Sequence, residues 1–105
     1  MVWVVEEKIL TLHPQGKKGV NMSKAKYDAV RAAMLSALKT RKVLTHDELV
    51  EAIQERLEGK FDGRIAWYAE YVKRDLEARK VIDRTAAGEL ELYRLIAKNR
   101  AVPGV

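Results

Sequence analysis

The sequence predicts an α+β fold, three amphipathic helices followed by a C-terminal β-hairpin, and three observations predict it. Apolar residues recur at helical spacing in three segments. A capping-box tetrapeptide, Thr45-His46-Asp47-Glu48, marks the start of the second. Two short runs of alternating character, from Val81 and from Leu90, flank a turn containing Gly88. At 105 residues the chain has the length of a single domain, expected to span 1–105. Its 48% hydrophobic and 33% charged residues give the balance of a globular chain rather than a disordered one.

Residues 1–22 read as a strand-like extension, because Val2, Trp3, Val4, Val5, Ile9, Leu10 and Leu12 are β-branched, aromatic or aliphatic without a helical period. Pro14, Gly16 and Gly19 break regular structure between His13 and Gly19, and Lys17 and Lys18 keep that loop in water. Ser23 is the expected N-cap of the first helix. Tyr27, Val30, Met34, Ala37 and Leu38 form that helix's apolar stripe, and Lys24, Lys26, Arg31 and Lys39 lie off it.

Val43-Leu44 suits a very short strand. The second helix then starts at Thr45, with Leu49, Val50, Ile53 and Leu57 inward, five carboxylates outward, and Gly59 as its stop. Phe61-Asp62-Gly63 turns the chain into a third helix expected to be capped by Asp62, with Ile65, Tyr68, Ala69, Val72 and Leu76 facing the core. The hairpin covers one side of that core with Val81, Leu92 or Leu95. This order of elements is that of a winged helix. An alternative is a helical bundle in which 90–99 forms a fourth helix, since Leu92, Leu95 and Ile96 also suit a period of 3.6. Residues 98–105 read as a flexible tail.

Further residues resemble a known family. His13-Pro14-Gln15-Gly16-Lys17 with Gly19-Val20-Asn21, Lys26-Tyr27-Asp28, Phe61-Asp62-Gly63, Trp67-Tyr68, Val72-Lys73 and Asp75-Leu76-Glu77-Ala78-Arg79 are similar to a family of small uncharacterised bacterial proteins. The resemblance covers residues 7 to 95 and implies a winged-helix-like fold. It implies no activity, so function has to be argued from charge and chemistry.

With no cysteine there is no disulfide, thiolate metal site or cysteine nucleophile, and a reducing cytoplasm fits. No apolar run approaches the length of a membrane span, so no membrane is expected as a partner. His13 and His46 lack ligand-type neighbours at metal-binding spacing, because Asp47 and Glu48 belong to the helix start, and neither a metal nor any other cofactor is expected. Ser36 has no nucleophile motif around it and Ser23 is explained as a cap, so the chain does not read as an enzyme. The loop Gly16-Lys17-Lys18-Gly19 lacks the spacing of a nucleotide phosphate loop.

Charge is distributed unevenly. Twenty basic and fifteen acidic residues give a net +5; residues 1–45 carry +6, residues 46–70 carry −4, and the remainder +3. Two readings follow. In the first, Lys17, Lys18, Lys24, Lys26 and Arg31 join Arg64 and Arg74 of the third helix, which would also present Trp67, Tyr71 and Lys73, to bind nucleic acid, duplex DNA in the first instance. Against the usual duplex pose stand Glu70, Glu77 and, at its margin, Asp75 on the same face of the third helix, the acidic second helix, and a nearly uncharged hairpin tip from Thr85 to Glu89. In the second, the chain is an interaction or dimerisation module with Trp3, Trp67 and Tyr71 at an interface with its own copy or another protein. A purely internal role for Trp67 and Tyr71 requires Trp3, Val5 or Leu10 to fold over them.

Overall fold

The computed structural model describes residues 7–96. Its elements are β1 (Lys8–Leu10), β2 (Asn21–Ser23), α1 (Lys24–Arg41), β3 (Leu44–Thr45), α2 (His46–Leu57), α3 (Ile65–Ala78), β4 (Ile82–Ala87) and β5 (Leu90–Leu95). The described chain is therefore α+β, with three helices and two small antiparallel sheets. Trp3, Val5 and the tail expected at 98–105 lie outside the described residues.

Helix α1 starts where Ser23 predicts, its hydroxyl accepting from the Lys26 N–H at 3.3 Å. All five stripe residues from Tyr27 to Leu38 are buried. At α2 both halves of the capping box form: Thr45 Oγ1 accepts from the Glu48 N–H at 3.2 Å, and the Thr45 N–H donates to Glu48 Oε1 at 2.8 Å. That backbone bond holds the Glu48 carboxyl below its ordinary pKa.

The start of α3 corrects the sequence reading. The helix begins at Ile65, and Arg64 occupies the cap position with no side-chain cap bond; Asp62 stays exposed in the preceding turn. The turn consumes Phe61 to Gly63 because Gly63 sits at φ +146°, a conformation side-chain-bearing residues rarely adopt. Ala69, Val72 and Leu76 are fully buried as expected, while Ile65 and Tyr68 are partly covered.

Strands β4 and β5 pair from Ile82↔Leu95 to Ala87↔Leu90, and β3 adds through Leu44↔Tyr93 and Thr45↔Leu92, giving the order β3-β5-β4. Residues 90–95 are thus a strand and not part of a fourth helix. The hairpin covers the core with two of the three residues named for it, Val81 and Leu95, and with two others. Ile82 and Tyr93 reach the core, Val81 and Leu95 are only partly covered, and Leu92, next to Tyr93 along the strand, belongs to the opposite face.

The segment before α1 forms the second sheet, with Ile9 opposite Met22. Its connecting loop closes on itself, since the Thr11 N–H donates to the Val20 carbonyl at 2.9 Å and the Val20 N–H donates to Thr11 Oγ1 at 3.1 Å. It is fixed to the helices by Asp75, which is fully buried on α3. That carboxylate accepts from the Leu12 N–H at 2.8 Å, from Arg79 Nε at 2.8 Å and from the Tyr27 hydroxyl. Burial and the bond to Asp75 push the Tyr27 phenol up to about 12. No helix among the described residues is long and apolar enough to cross a membrane.

Candidate functional site

The outer face of α3 begins at Arg64 and continues through Trp67, Tyr71 and Arg74, a spacing of three, four and three that places all four side chains on one side of a helix. The indole of Trp67 remains 40% exposed. Leu10, offered by the sequence as one of its covers, is itself 55% exposed. Instead Trp67 rests on neighbours of its own helix: Tyr68 meets it edge-on at 4.9 Å between centroids, and Tyr71 lies tilted at 4.9 Å. Tyr68 in turn packs edge-on against Phe61 at 5.1 Å, and Lys26 reaches over both of those rings from α1.

One turn further along, Arg74 stands 5.5 Å over the Tyr71 ring and is bound to Glu70 at 2.6 Å. Glu70 also faces Lys73 at 3.5 Å and His46 Nε2 at 3.7 Å. Lys73 is the largest departure from expectation. Its side chain is not presented outward but buried, with 6% of the residue exposed, its ammonium 4.6 Å over the Tyr93 ring and 2.9 Å from His46 Nδ1. Because an ammonium only donates, Nδ1 is the lone-pair nitrogen of a neutral His46, and Nε2–H points to Glu70. Desolvation, then the Lys73 charge, holds His46 below its ordinary pKa; desolvation also lowers Lys73, against the pull of Glu70. Burial, reinforced by the bond to Glu91, pushes the Tyr93 phenol well up.

A polar cleft of about 240 Å³ separates this face from the loop before β2. His13 and Lys17 line its loop side, Arg74 and Glu77 its helix side, and Arg84 and Glu91 its hairpin side. Arg84 bridges Glu77 and Glu91, each at 3.1 Å, which fastens the hairpin to α3 and offsets the Arg84 charge.

The sequence-predicted basic residues therefore separate into groups. Arg64, Arg74, Lys26 and Lys17 gather around the α3 face and its cleft. Lys18 lines the larger cavity beneath the loop, with Glu77 and Lys80. Lys24 pairs with Asp28 at 2.9 Å on the exposed surface of α1, and Arg31 borders a groove with Leu35, Lys39, Val81 and Leu95, so neither belongs to this face. The sequence reading sets Asp75 at the margin of this face, whereas it is fully buried, and it missed the Lys73–His46 pair; the signal present was two polar residues flanking the stripe positions Val72 and Leu76. Among the described residues no group of three His, Asp or Glu is placed to hold a metal ion.

Residues 8–92, which run from β1 into β5 and include every residue of this face, match the model of the Family of unknown function (DUF6958). The chain belongs to that family. No curated protein matches the chain. The DUF6958 match spans both the loop before β2 and the α3 face that it overhangs, so the two belong to one family unit; it carries no activity with it.

Proposed function

We propose that this DUF6958 protein is a winged-helix module that binds nucleic acid through the outer face of α3 and the adjoining loop. The winged-helix part is supported by element order and pairing: helix, short strand, two helices and hairpin, with strands lying β3-β5-β4. In such folds the helix before the hairpin is the one offered to a ligand. The observation that carries the binding part is Trp67, 40% exposed on α3, with Lys26 over the neighbouring Tyr68 ring and Arg74 over the neighbouring Tyr71 ring. Exposed aromatic surface marks a contact site, and surrounding cations select an anionic partner.

Electrostatics also favour one direction of approach. The outer side of α2 carries exposed Asp47, Glu51, Glu55 and Glu58, which repel phosphates. An anionic backbone is favoured instead along α3, from Arg64 at its start to the cleft that Lys17 and Arg74 line. Fluorescence anisotropy of labelled oligonucleotides across a salt series tests the proposal. Affinity is expected to fall steeply with salt, and Lys17→Ala with Lys18→Ala to reduce the slope of log affinity against log salt by about one to two. Absence of binding to any oligonucleotide at low ionic strength overturns it.

A further inference from the structure

We infer that the ligand of the α3 face is single-stranded nucleic acid, held by stacking of an unpaired base on Trp67, which the half-buried Tyr71 braces. This rests on the nucleic-acid reading above and narrows it. Reading a duplex through its major groove needs polar side chains free to reach base edges. On α3 those groups are already engaged: Lys73 is buried against His46 and Tyr93, Arg74 is bound to Glu70 at 2.6 Å, and Glu77 is bound to Arg84. The hairpin gives no minor-groove grip either, because residues 85–88 are Thr-Ala-Ala-Gly and Arg84 is held by two carboxylates.

What α3 does offer is aromatic. Trp67 is 40% exposed and braced by Tyr68 and Tyr71, with both centroids 4.9 Å away, so its orientation is fixed before any ligand arrives. A π-face binds any base that is not already stacked in a helix, and it does so with little regard to sequence. Cations then track the strand: Arg64 is one turn before Trp67, Lys26 stands beside the Tyr68 ring, and Lys17 lies across the cleft from Arg74. Glu70 lies on the same side of the helix, but its charge is offset by Arg74 and Lys73. A single strand, narrow and flexible, can follow this path without laying phosphates along the acidic side of α2; a stiff duplex cannot.

The test uses the full chain with Trp3→Phe, which leaves Trp67 as the remaining tryptophan of the two. Oligothymidylate and oligouridylate of about 15 nucleotides, a length matched to small single-strand sites, are compared with a duplex of equal length by anisotropy and by tryptophan fluorescence. At least one single strand is expected to bind more tightly than the duplex and to quench Trp67. Trp67→Ala is expected to weaken single-strand binding by about 5- to 150-fold, with Trp67→Phe recovering part of the loss. Circular dichroism confirms that both variants fold. Duplex binding at least as tight as single-strand binding, unchanged by Trp67→Ala, overturns this inference and leaves the broader reading standing. No binding to any probe removes both. In that event, self-association in sedimentation that Trp67→Ala abolishes reassigns the face to a protein interface.

Discussion

The backbone N–H of Leu12 donates to the buried carboxylate of Asp75 at 2.8 Å, joining residues 63 positions apart. The same carboxylate accepts from Tyr27 on α1 and from Arg79 at the end of α3, so one side chain ties the N-terminal loop to two helices. Replacing Asp75 with Asn keeps the shape but turns an acceptor atom into a donor, directed at a partner that itself donates. A buried network broken in this way costs about 2–4 kcal/mol. Asp75→Asn is expected to lower the urea midpoint accordingly and to speed hydrogen exchange at the Leu12 amide more than at amides in the middle of α1.

Gly19 closes the same loop where it has the least room for a side chain of any described glycine. A Cβ there lies 1.8 Å from the Thr11 carbonyl oxygen, a distance that no side-chain rotation relieves because the obstacle is main chain. Gly19→Ala is therefore expected to break the Thr11–Val20 hydrogen bonds and cost about 1–3 kcal/mol in urea unfolding. Gly16→Ala, whose Cβ meets nothing within 4 Å, separates the effect of crowding from that of a left-handed backbone. Near-equal losses in the two variants would refute the crowding account.

What the sequence made legible follows from how local each signal is. The Ser23 and Thr45 caps act over three residues, and the α1 stripe repeats over a dozen; both stand as read. Asp62 satisfied the same local rule and failed, because Gly63 spends the intervening residues on a turn that delays the helix to Ile65. Hairpin phase escaped for a related reason. Leu92 and Tyr93 both suit a buried position, and the pairing of Tyr93 with Leu44 of a distant strand selects Tyr93. The aromatic and basic residues of the α3 face were identifiable by type and spacing. The burial of Lys73 and Asp75 was not, since each is stabilised by partners 27 to 63 residues away.

Acidification is expected to destabilise the fold through His46. Its folded-state pKa is held below the ordinary value near 6.5 by desolvation and then by Lys73, against the opposing pull of Glu70, Asp47 and Glu91. The unfolded chain therefore binds a proton more readily than the folded one. The stability this group provides is complete above the unfolded pKa and is lost as pH falls through the folded one. Denaturant midpoints measured from pH 7 to pH 5 should decline more for the native chain than for His46→Gln. Replacing Lys73 with Gln keeps a donor to Nδ1 and removes the charge, so the His46 pKa followed by NMR should rise. A fall in that value would contradict the assigned hydrogen bond.

Gly63 joins the turn before α3 to the aromatic cluster, and its replacement tests whether scaffold and binding face can be separated. A Cβ at this position comes within 2.9 Å of the Tyr68 ring and 3.1 Å of the Phe61 ring, and the residue holds φ +146°. Both costs fall on Gly63→Ala, so a loss of about 1–3 kcal/mol is expected in thermal or urea unfolding. Movement of Tyr68 also removes the edge-on support of Trp67, so the emission maximum of Trp67 in the Trp3→Phe background should shift. Trp67→Ala makes the converse change. It deletes a side chain that is already 40% exposed and creates no backbone strain, so it should cost less stability than Gly63→Ala while removing more of the oligonucleotide affinity. If the two variants lose stability and binding in the same proportion, the aromatic face is part of the core and its exposure serves no ligand.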